Sequence, residues 1–155
     1  MEIEGLTKFI AGHPLFKGLD AGFLELVTGC AKNARFEAGV YLAHEGDAAD
    51  VLYLIRHGEV GLSVATPGQG NLSFLTVGPG ESVGLSWLFP PYRWTYDARA
   101  INLVRAIAID AACLRNKCEN DHHLGYEVMK RLVPVLVDRL HATRLQLLDV
   151  YGNHG

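Results

Sequence analysis

The sequence predicts a mainly β fold, a barrel or sandwich with helices on both sides. Between about residues 33 and 110, short runs of β-forming residues alternate with glycines and other turn residues, as in all-β domains. Before and after this region, apolar residues recur at helical spacing. The 155 residues, of which 49% are hydrophobic, fit one folded domain. We divide it into N-terminal helices (1–32), a β-barrel (33–110) and C-terminal helices (111–151).

The first region is predicted to hold two short helices. Leu6, Phe9 and Ile10 recur at the spacing of one helix face, and Pro14 ends this pattern. Asp20 belongs to the residue types that cap helix N-termini, so we expect a second helix to start just after it.

The second region contains five runs that predict strands. They are Val40–Ala43, Val51–Ile55, Val60–Ala65, Leu72–Val77 and Val104–Ile109. The stretch Pro67–Asn71 separates two of these runs and is rich in turn residues, so it predicts the tip of a hairpin.

The third region is predicted to be helical. A short helix is expected at Ala111–Lys117, and Asn120 with Asp121 is expected to cap a longer one. Pro134 lies inside the longer pattern and has no amide proton, so we expect it to kink or split this helix. Residues 152–155 are expected to end it.

The apolar residues of the longer helix form two patterns. Those that recur every four residues are Leu124, Val128, Leu132, Leu136 and Leu140. Those that follow at alternating intervals of four and three residues are Leu136, Leu140, Thr143, Leu147 and Val150. The early face can pack on the barrel, whereas the later spacing is that of a coiled-coil seam. We therefore expect a homodimer through residues 136–150.

The charge of the chain argues against several kinds of partner. The net charge is −3 and no stripe of lysine and arginine stands out, whereas nucleic-acid-binding domains are usually basic. No apolar run approaches the roughly 20 residues of a membrane span, and the N-terminal segment lacks the pattern of a secretion signal. We expect a cytoplasmic protein that binds neither nucleic acid nor membranes directly.

The chain has three cysteines, Cys30, Cys113 and Cys118. An odd number without a secretion signal predicts a reducing compartment. Cys113 and Cys118 do not have the spacing of a CxxC motif. We therefore expect free, buried or half-buried thiols rather than a redox or metal site.

Enzyme motifs are missing from the sequence. It has no G-x-S-x-G, P-loop or H-E-x-x-H pattern. A metal enzyme of the cupin kind shares the all-β character but needs a His-x-His pair, a nearby glutamate and a later histidine, and His44 and His57 lack that spacing. We expect no catalytic residue, no metal site and no cofactor, and a cupin-type enzyme is the disfavoured alternative.

One segment has the features of an anion site. Gly80 and Gly84 bracket a turn after a strand, and residues 84–88 can form one helical turn. The first amides of such a turn have no internal partner and can bind an anion, to which Ser86 would add a hydroxyl or an amide. Arg93 is placed to fold back onto the same anion as a charge-assisted donor.

Arg35–Ser63 resembles the early barrel strands of the cyclic-nucleotide-binding domain family. The matching positions are Gly39, Glu45-Gly46-Asp47, Tyr53 and Gly58-Glu59-Val60. Further matches lie at His13–Leu19 and at Arg139–Thr143, the latter similar to the central helix of catabolite-activator-type regulators. The resemblance implies a jelly-roll-like double-stranded β-helix barrel with N-terminal helices and a long C-terminal helix. Relatives append a helix-turn-helix, which is missing before Gly155, so DNA binding by that route is not expected.

The resemblance also implies a phosphate-binding cassette at residues 84–100. Gly84 and Leu88 match the family pattern, whereas Leu85 stands where a glutamate holds the ribose hydroxyl and Trp87 stands at a small-residue position. The arginine that pairs with the cyclic phosphate falls on Arg93 with a one-residue slip, or on Trp94 without one.

The resemblance completes the candidate site. Thr95 fits the small hydroxyl-bearing position after the arginine, and Thr143 and Arg144 lie where the central helix touches the purine. The expected ligand-binding residues are Gly84, Leu85, Ser86, Trp87, Arg93, Trp94, Thr95, Thr143 and Arg144.

Three functional alternatives remain open. The cassette binds a cyclic nucleotide such as cAMP or cGMP; or it binds another small anion against an aromatic wall of Trp87 and Trp94; or it binds nothing, and the domain only dimerises or docks to a protein partner. In a working site, we expect ligand binding to tighten the cassette, move the C-terminal helix and repack the dimer seam by a population shift. The sequence thus predicts a non-enzymatic, ligand-sensing regulatory domain.

Overall fold

The computed structural model describes residues 2–68 and 70–152. The strands there are β1 (Ala31–Phe36), β2 (Tyr41–Ala43), β3 (Val51–His57), β4 (Val60–Thr66), β5 (Gly70–Val77), β6 (Ser82–Val83), β7 (Asp97–Ala100) and β8 (Val104–Asp110). The helices are α1 (Glu2–Gly12), α2 (Ala21–Thr28), α3 (Ala111–Asn120) and α4 (His122–Gly152), with a 3-10 turn at Leu85–Leu88.

The strands form two four-stranded antiparallel sheets. The first has the order β1-β8-β3-β6 and the second the order β2-β7-β4-β5. Strands distant in sequence thus become neighbours in both sheets, as in a jelly roll. The predicted fold class, a mainly β jelly-roll-like barrel with flanking helices, is confirmed.

All five predicted strands are present, and the hairpin predicted at 67–71 joins β4 to β5, where Thr66 pairs with Gly70. Three further strands, β1, β6 and β7, did not stand out in the sequence. The β1 run Ala-Lys-Asn-Ala-Arg-Phe is mostly polar, and its outward residues are exposed at the sheet edge. Such a strand carries little hydrophobic signal.

The central strand β3 is buried on both faces, from Leu52 to Ile55. On one face, the ring of Tyr53 packs edge-on against Phe36 and also contacts Trp94 in the interior between the sheets. The other face lies toward the helices. Burial on both sides explains why β3 reads as a continuous apolar run.

The N-terminal helices follow the predicted pattern. The Asp20 carboxylate accepts a hydrogen bond from the Phe23 amide at 2.9 Å and so caps α2 as predicted. Between the helices, Leu15 and Phe16 are buried in the common core. This packing fixes the N-terminal segment against the barrel.

The cap predicted at Asp121 is also present, and Asp110 supplies a further one that the sequence pattern did not predict. Asp110 caps α3 through the Cys113 amide, and Asp121 caps α4 through the amides of His123 and Leu124. In α4, Leu124, Val128 and Leu132 are buried, whereas Leu136 and later leucines are exposed. The early face therefore packs on the domain as expected.

Of the two predicted effects of Pro134, a kink or a split, the split is wrong, because α4 runs unbroken from His122 to Gly152. Proline removes one helical hydrogen bond, but Pro134 and Lys130, whose carbonyl loses its partner, are both exposed, so water can replace the bond. Buried Leu132 and half-buried Val135 on either side hold the helix to the domain. The predicted stop at 152–155 lies mostly outside the described residues, and nothing is said of the Val150 side chain, which belongs to the predicted seam.

The prediction of three free thiols is wrong for two of them. Cys30 and Cys113 form a disulfide with a Cα–Cα distance of 5.8 Å, and Cys118 is a free, buried thiol. Cys30 ends the connection from α2 to β1, whereas Cys113 lies in the first turn of α3. The two cysteines lie close together because β1 pairs with β8, which leads directly into α3. They are 83 residues apart in the chain, and the sequence therefore shows no sign of this contact.

No helix in the described residues has the length and apolar character needed to span a membrane.

Candidate functional site

The candidate site begins where β6 turns into the 3-10 helix. Gly84 has φ 95°, in the left-handed region, and stands immediately before Leu85–Leu88. A Cβ at this position would lie 2.7 Å from the Val51 carbonyl oxygen. Only glycine combines this backbone conformation with such close approach. The predicted single helical turn after Gly84 is confirmed.

Aromatic side chains surround this turn. Trp87 is 1% exposed and Trp94 is 4% exposed, and the Trp94 ring would lie 3.0 Å from a Cβ at position 84. Trp94 packs edge-on against Tyr96, whose ring also meets Phe74 edge-on. The indole nitrogen of Trp87 is buried without a hydrogen-bond partner among the described residues. The predicted aromatic wall is therefore part of the packed core beside Gly84.

Arg93 points in another direction. Its guanidinium donates to the Gly46 carbonyl oxygen at 2.9 Å, and its backbone forms an isolated bridge with Ala48. Both Arg93 and Thr95 are exposed. The structure thus brings Trp94 to Gly84 and leads Arg93 to the connection between β2 and β3. The Arg93 clamp on an anion stays a prediction.

Two other arginines hold the segment that contains the turn. Arg139 of α4 donates to the Ser82 carbonyl oxygen, just before Gly84. Arg115 of α3 donates to the Trp87 carbonyl oxygen, and its guanidinium lies 4.2 Å from the centre of the Tyr92 ring. Ser82, two residues before Gly84, is thereby tied to α4, and Trp87, within the turn, is tied to α3.

Tyr96 lies at the same junction. Burial raises the pKa of its hydroxyl, while the positive charge of Arg139 and hydrogen bonds from the Gly84 backbone and the Arg139 side chain act in the opposite direction. Arg139 thus contacts both Ser82 and Tyr96, on the two sides of the turn. A change in the conformation of Gly84 would disturb all of these contacts.

A cleft of about 360 Å³ opens between residues 80–82 and α4. Arg139, Asp138 and the buried His13 line it. The Nδ1 of His13 accepts from the Leu15 amide at 3.2 Å, which leaves Nε2, 3.4 Å from the Glu81 carbonyl oxygen, as the protonated nitrogen of the neutral ring. Burial lowers the pKa of His13, only partly opposed by the contact with Glu81. None of the nine predicted ligand-binding residues lines this cleft.

The α4 residues predicted to touch a base face outward. Thr143 and Arg144 are exposed, and the Thr143 hydroxyl donates to the Arg139 carbonyl one turn earlier. Sequence reasoning did not select Arg139, Tyr96 or Arg115 for the site. Arg139 lies four residues before Thr143 and therefore on the same helix face, and this spacing was the sequence signal that could have selected it.

Within the described residues, no group of three or more His, Cys, Asp or Glu is placed to hold a metal ion.

A jelly-roll barrel, a glycine-led turn and a long C-terminal helix that is hydrogen-bonded to the strand before that turn together define a sensor-type domain. Residues 34–121 match the family model of the cyclic nucleotide-binding domain. The chain therefore belongs to the cyclic nucleotide-binding domain family.

Solved structures agree with this membership. A protein described as cyclic nucleotide-binding from Geobacter metallireducens is 29% identical, with a TM-score of 0.78, over 91% of this chain and 99% of that one. The N-terminal domain of a Streptomyces coelicolor transcriptional regulator is 25% identical, with a TM-score of 0.68, over 86% and 94% of the two chains. The regulatory domain of Toxoplasma gondii PKA, solved with cAMP, shares the fold at 23% identity and a TM-score of 0.65, over 74% of this chain and 43% of that one. A search of curated proteins found no match.

These comparisons place the chain among ligand-sensing regulatory domains, which do not catalyse reactions. The prediction that it is not an enzyme is confirmed by this family membership. The resemblance noted at Arg35–Ser63 is confirmed as well, since the family match, at residues 34–121, contains the whole of that stretch.

Proposed function

We propose that this protein is a ligand-sensing domain in which a cyclic nucleotide, or a similar small anion, binds at the cassette and signals through α4. The observation that carries the proposal is the hydrogen bond from Arg139 of α4 to the Ser82 carbonyl oxygen. It connects the helix that leads out of the domain to the residues just before the Gly84 turn. A ligand that moves this turn therefore moves a contact of α4.

The anion site would use backbone amides and a cation. The amides of Leu85, Ser86 and Trp87 lie at the start of a helical turn, where amides lack helical partners. Arg93 is exposed and bonded only to a carbonyl oxygen, so its guanidinium can change partners at low cost. Rotation of Arg93 from Gly46 toward the turn completes a charge-assisted site.

The purine side of the site would lie against α4. Thr143 and Arg144 are exposed on that helix and available to a base that projects from the cassette. Contact with the base favours one position of α4 over another, and the ligand shifts the population toward it. The exposed seam, Leu136, Leu140, Thr143 and Leu147, then carries the change to a second copy of the chain.

The residue at position 85 bears on the choice of ligand. Leu85 is apolar and buried, so it cannot accept a hydrogen bond from a ribose hydroxyl. A hydrogen bond with a charged partner contributes about 1.5–3 kcal/mol, so its loss weakens nucleotide binding roughly 10- to 150-fold. Cyclic AMP, present in the Toxoplasma relative, is the first ligand to test, followed by cGMP.

A thermal-shift measurement with cAMP, cGMP and inorganic phosphate tests the proposal. A ligand at 100 times its dissociation constant stabilises the folded state by about 2.7 kcal/mol, which raises Tm by roughly 5–10 °C. Arg93→Ala is expected to abolish the shift. Arg99→Ala is the matched control, because Arg99 is also exposed and donates to a glycine carbonyl, that of Gly39, at 2.9 Å. Equal shifts in both variants would refute the role of Arg93.

The alternative is a domain that has lost its ligand and only dimerises or docks to a protein partner. One observation favours it: the Trp94 ring occupies the space beside Gly84, where Leu85 and Trp87 are also buried. No shift with any of the three ligands, together with a stable dimer, would support this alternative. A shift that needs Arg93 would exclude it.

A further inference from the structure

Three basic residues lie side by side across the first sheet. In its register, Arg35 of β1 pairs with Arg105 of β8, and Arg105 pairs with His57 of β3. Directly paired residues present their side chains on the same face, and like charges at such positions reduce stability. The pair of arginines, Arg35 and Arg105, is therefore unfavourable by itself, and an anion placed beside Arg105 would relieve the cost.

Only part of this positive charge is neutralised within the described residues. Arg35 forms an ion pair with Glu37 at 3.0 Å. Arg105, between the other two, is exposed and has no side-chain hydrogen bond or ion pair with the described part of the chain. The positive charge of Arg105, at the centre of the row, is therefore the least neutralised.

Arg56 adds a further cation beside the row. It lies at the irregularity in β3 between Ile55 and His57, and its guanidinium reaches across β8 to within 3.4 Å of the Asn33 amide oxygen. The same guanidinium lies 5.1 Å from the centre of the Phe9 ring of α1. These contacts orient Arg56 but leave its charge available.

A groove of about 590 Å³ lies among these residues. Asn33, Arg56, His57 and Arg105 supply its polar lining, and Leu103 closes one side. Sites for small molecules typically measure roughly 300–1,000 Å³. Two guanidinium groups, an imidazole and an amide are hydrogen-bond donors that suit phosphate oxygens. One guanidinium group can donate to two oxygens of the same phosphate.

We propose that this groove binds a small molecule that carries phosphate groups, at a second site separate from the cassette. Successive residues of β8 alternate between the faces of the sheet. Ala108 pairs with Tyr53, whose ring contacts Trp94 in the interior, whereas Arg105 lies on the opposite face. The floor formed by three neighbouring strands and the limited volume favour a small anion over an acidic segment of a partner protein.

Calorimetric titration with inorganic pyrophosphate tests the proposal. Arg105→Gln and Arg56→Gln are each expected to weaken binding about tenfold, the loss of one charge-assisted contact. Lys17→Gln is the control, since it removes the same charge from an exposed position elsewhere. Thermal unfolding of each variant verifies that it folds. The thermal shift produced by a ligand of the cassette is expected to survive Arg105→Gln, so failure of one site leaves the test of the other intact.

Three outcomes would overturn this second site. They are an absence of binding by the unaltered protein at millimolar pyrophosphate, binding that both arginine variants retain in full, and binding that Lys17→Gln weakens as much as they do. An oligoglutamate peptide that binds more tightly than pyrophosphate, and depends on Arg105, would instead assign the groove to an acidic protein segment.

Discussion

At the scale of single residues, the site depends on a position without a side chain. Gly84 adopts a left-handed conformation where the Val51 carbonyl and the Trp94 ring leave no room for a Cβ. The same crowding holds the turn against the core. Gly46 has nearly the same φ, 92°, but nothing lies within 4 Å of a Cβ there.

This pair of glycines separates crowding from backbone strain. Gly46→Ala is expected to cost about 1–2 kcal/mol, the penalty for an L-residue in the left-handed region. Gly84→Ala should cost roughly 1–3 kcal/mol more, because the methyl group also meets Val51 and Trp94. Urea unfolding of both variants measures the difference. Equal losses would show that the turn can move away from the core.

At the scale of elements, a cross-link joins the two helical parts of the domain. The Cys30–Cys113 disulfide connects the end of the α2–β1 segment to the first turn of α3, and α3 holds Trp87 through Arg115. Cys118, later in α3, is buried, and burial with the nearby charges of Glu119 and Asp121 raises its pKa to about 11. Since the thiolate is the reactive form, Cys118 is chemically quiet in the folded protein.

Thiol titration in denaturant tests the cross-link. Without reductant, one thiol per chain is expected, and with reductant, three. Cys118→Ser should lower both counts by one. Reduction should also destabilise the fold by roughly 2–4 kcal/mol, since the disulfide closes a loop of 83 residues in the unfolded chain. Three thiols without reductant would restore the original expectation of free cysteines.

At the scale of the whole molecule, α4 extends beyond the surface on which it packs. Its early apolar residues are buried, whereas Leu140 is 60% exposed and Leu147 is 54% exposed. Both belong to the predicted coiled-coil seam, and apolar residues at that spacing favour a second helix as partner. The dimer through residues 136–150 stays a prediction.

Sedimentation of seam variants tests the dimer. Leu140→Glu is expected to give a monomer with little change in folding stability, since that side chain makes few contacts within its own chain. Tyr126→Glu is the matched control, because Tyr126 is 62% exposed on the same helix but lies outside the seam. A monomeric unaltered protein, or a dimer that survives Leu140→Glu, would contradict the seam.

A resemblance indicated the family, and the sequence by itself determined the helices, five of the strands, the caps at Asp20 and Asp121 and the turn after Gly84. These depend on local chemistry: the period of apolar residues, carboxylates before helices, and glycine where φ is positive. Only the tertiary structure decided that Cys30 meets Cys113, that Arg139 and Arg115 hold the cassette, and that Arg93 reaches Gly46. Each of these contacts joins residues far apart in the chain, and strand pairing and helix packing, which no local pattern encodes, bring them together.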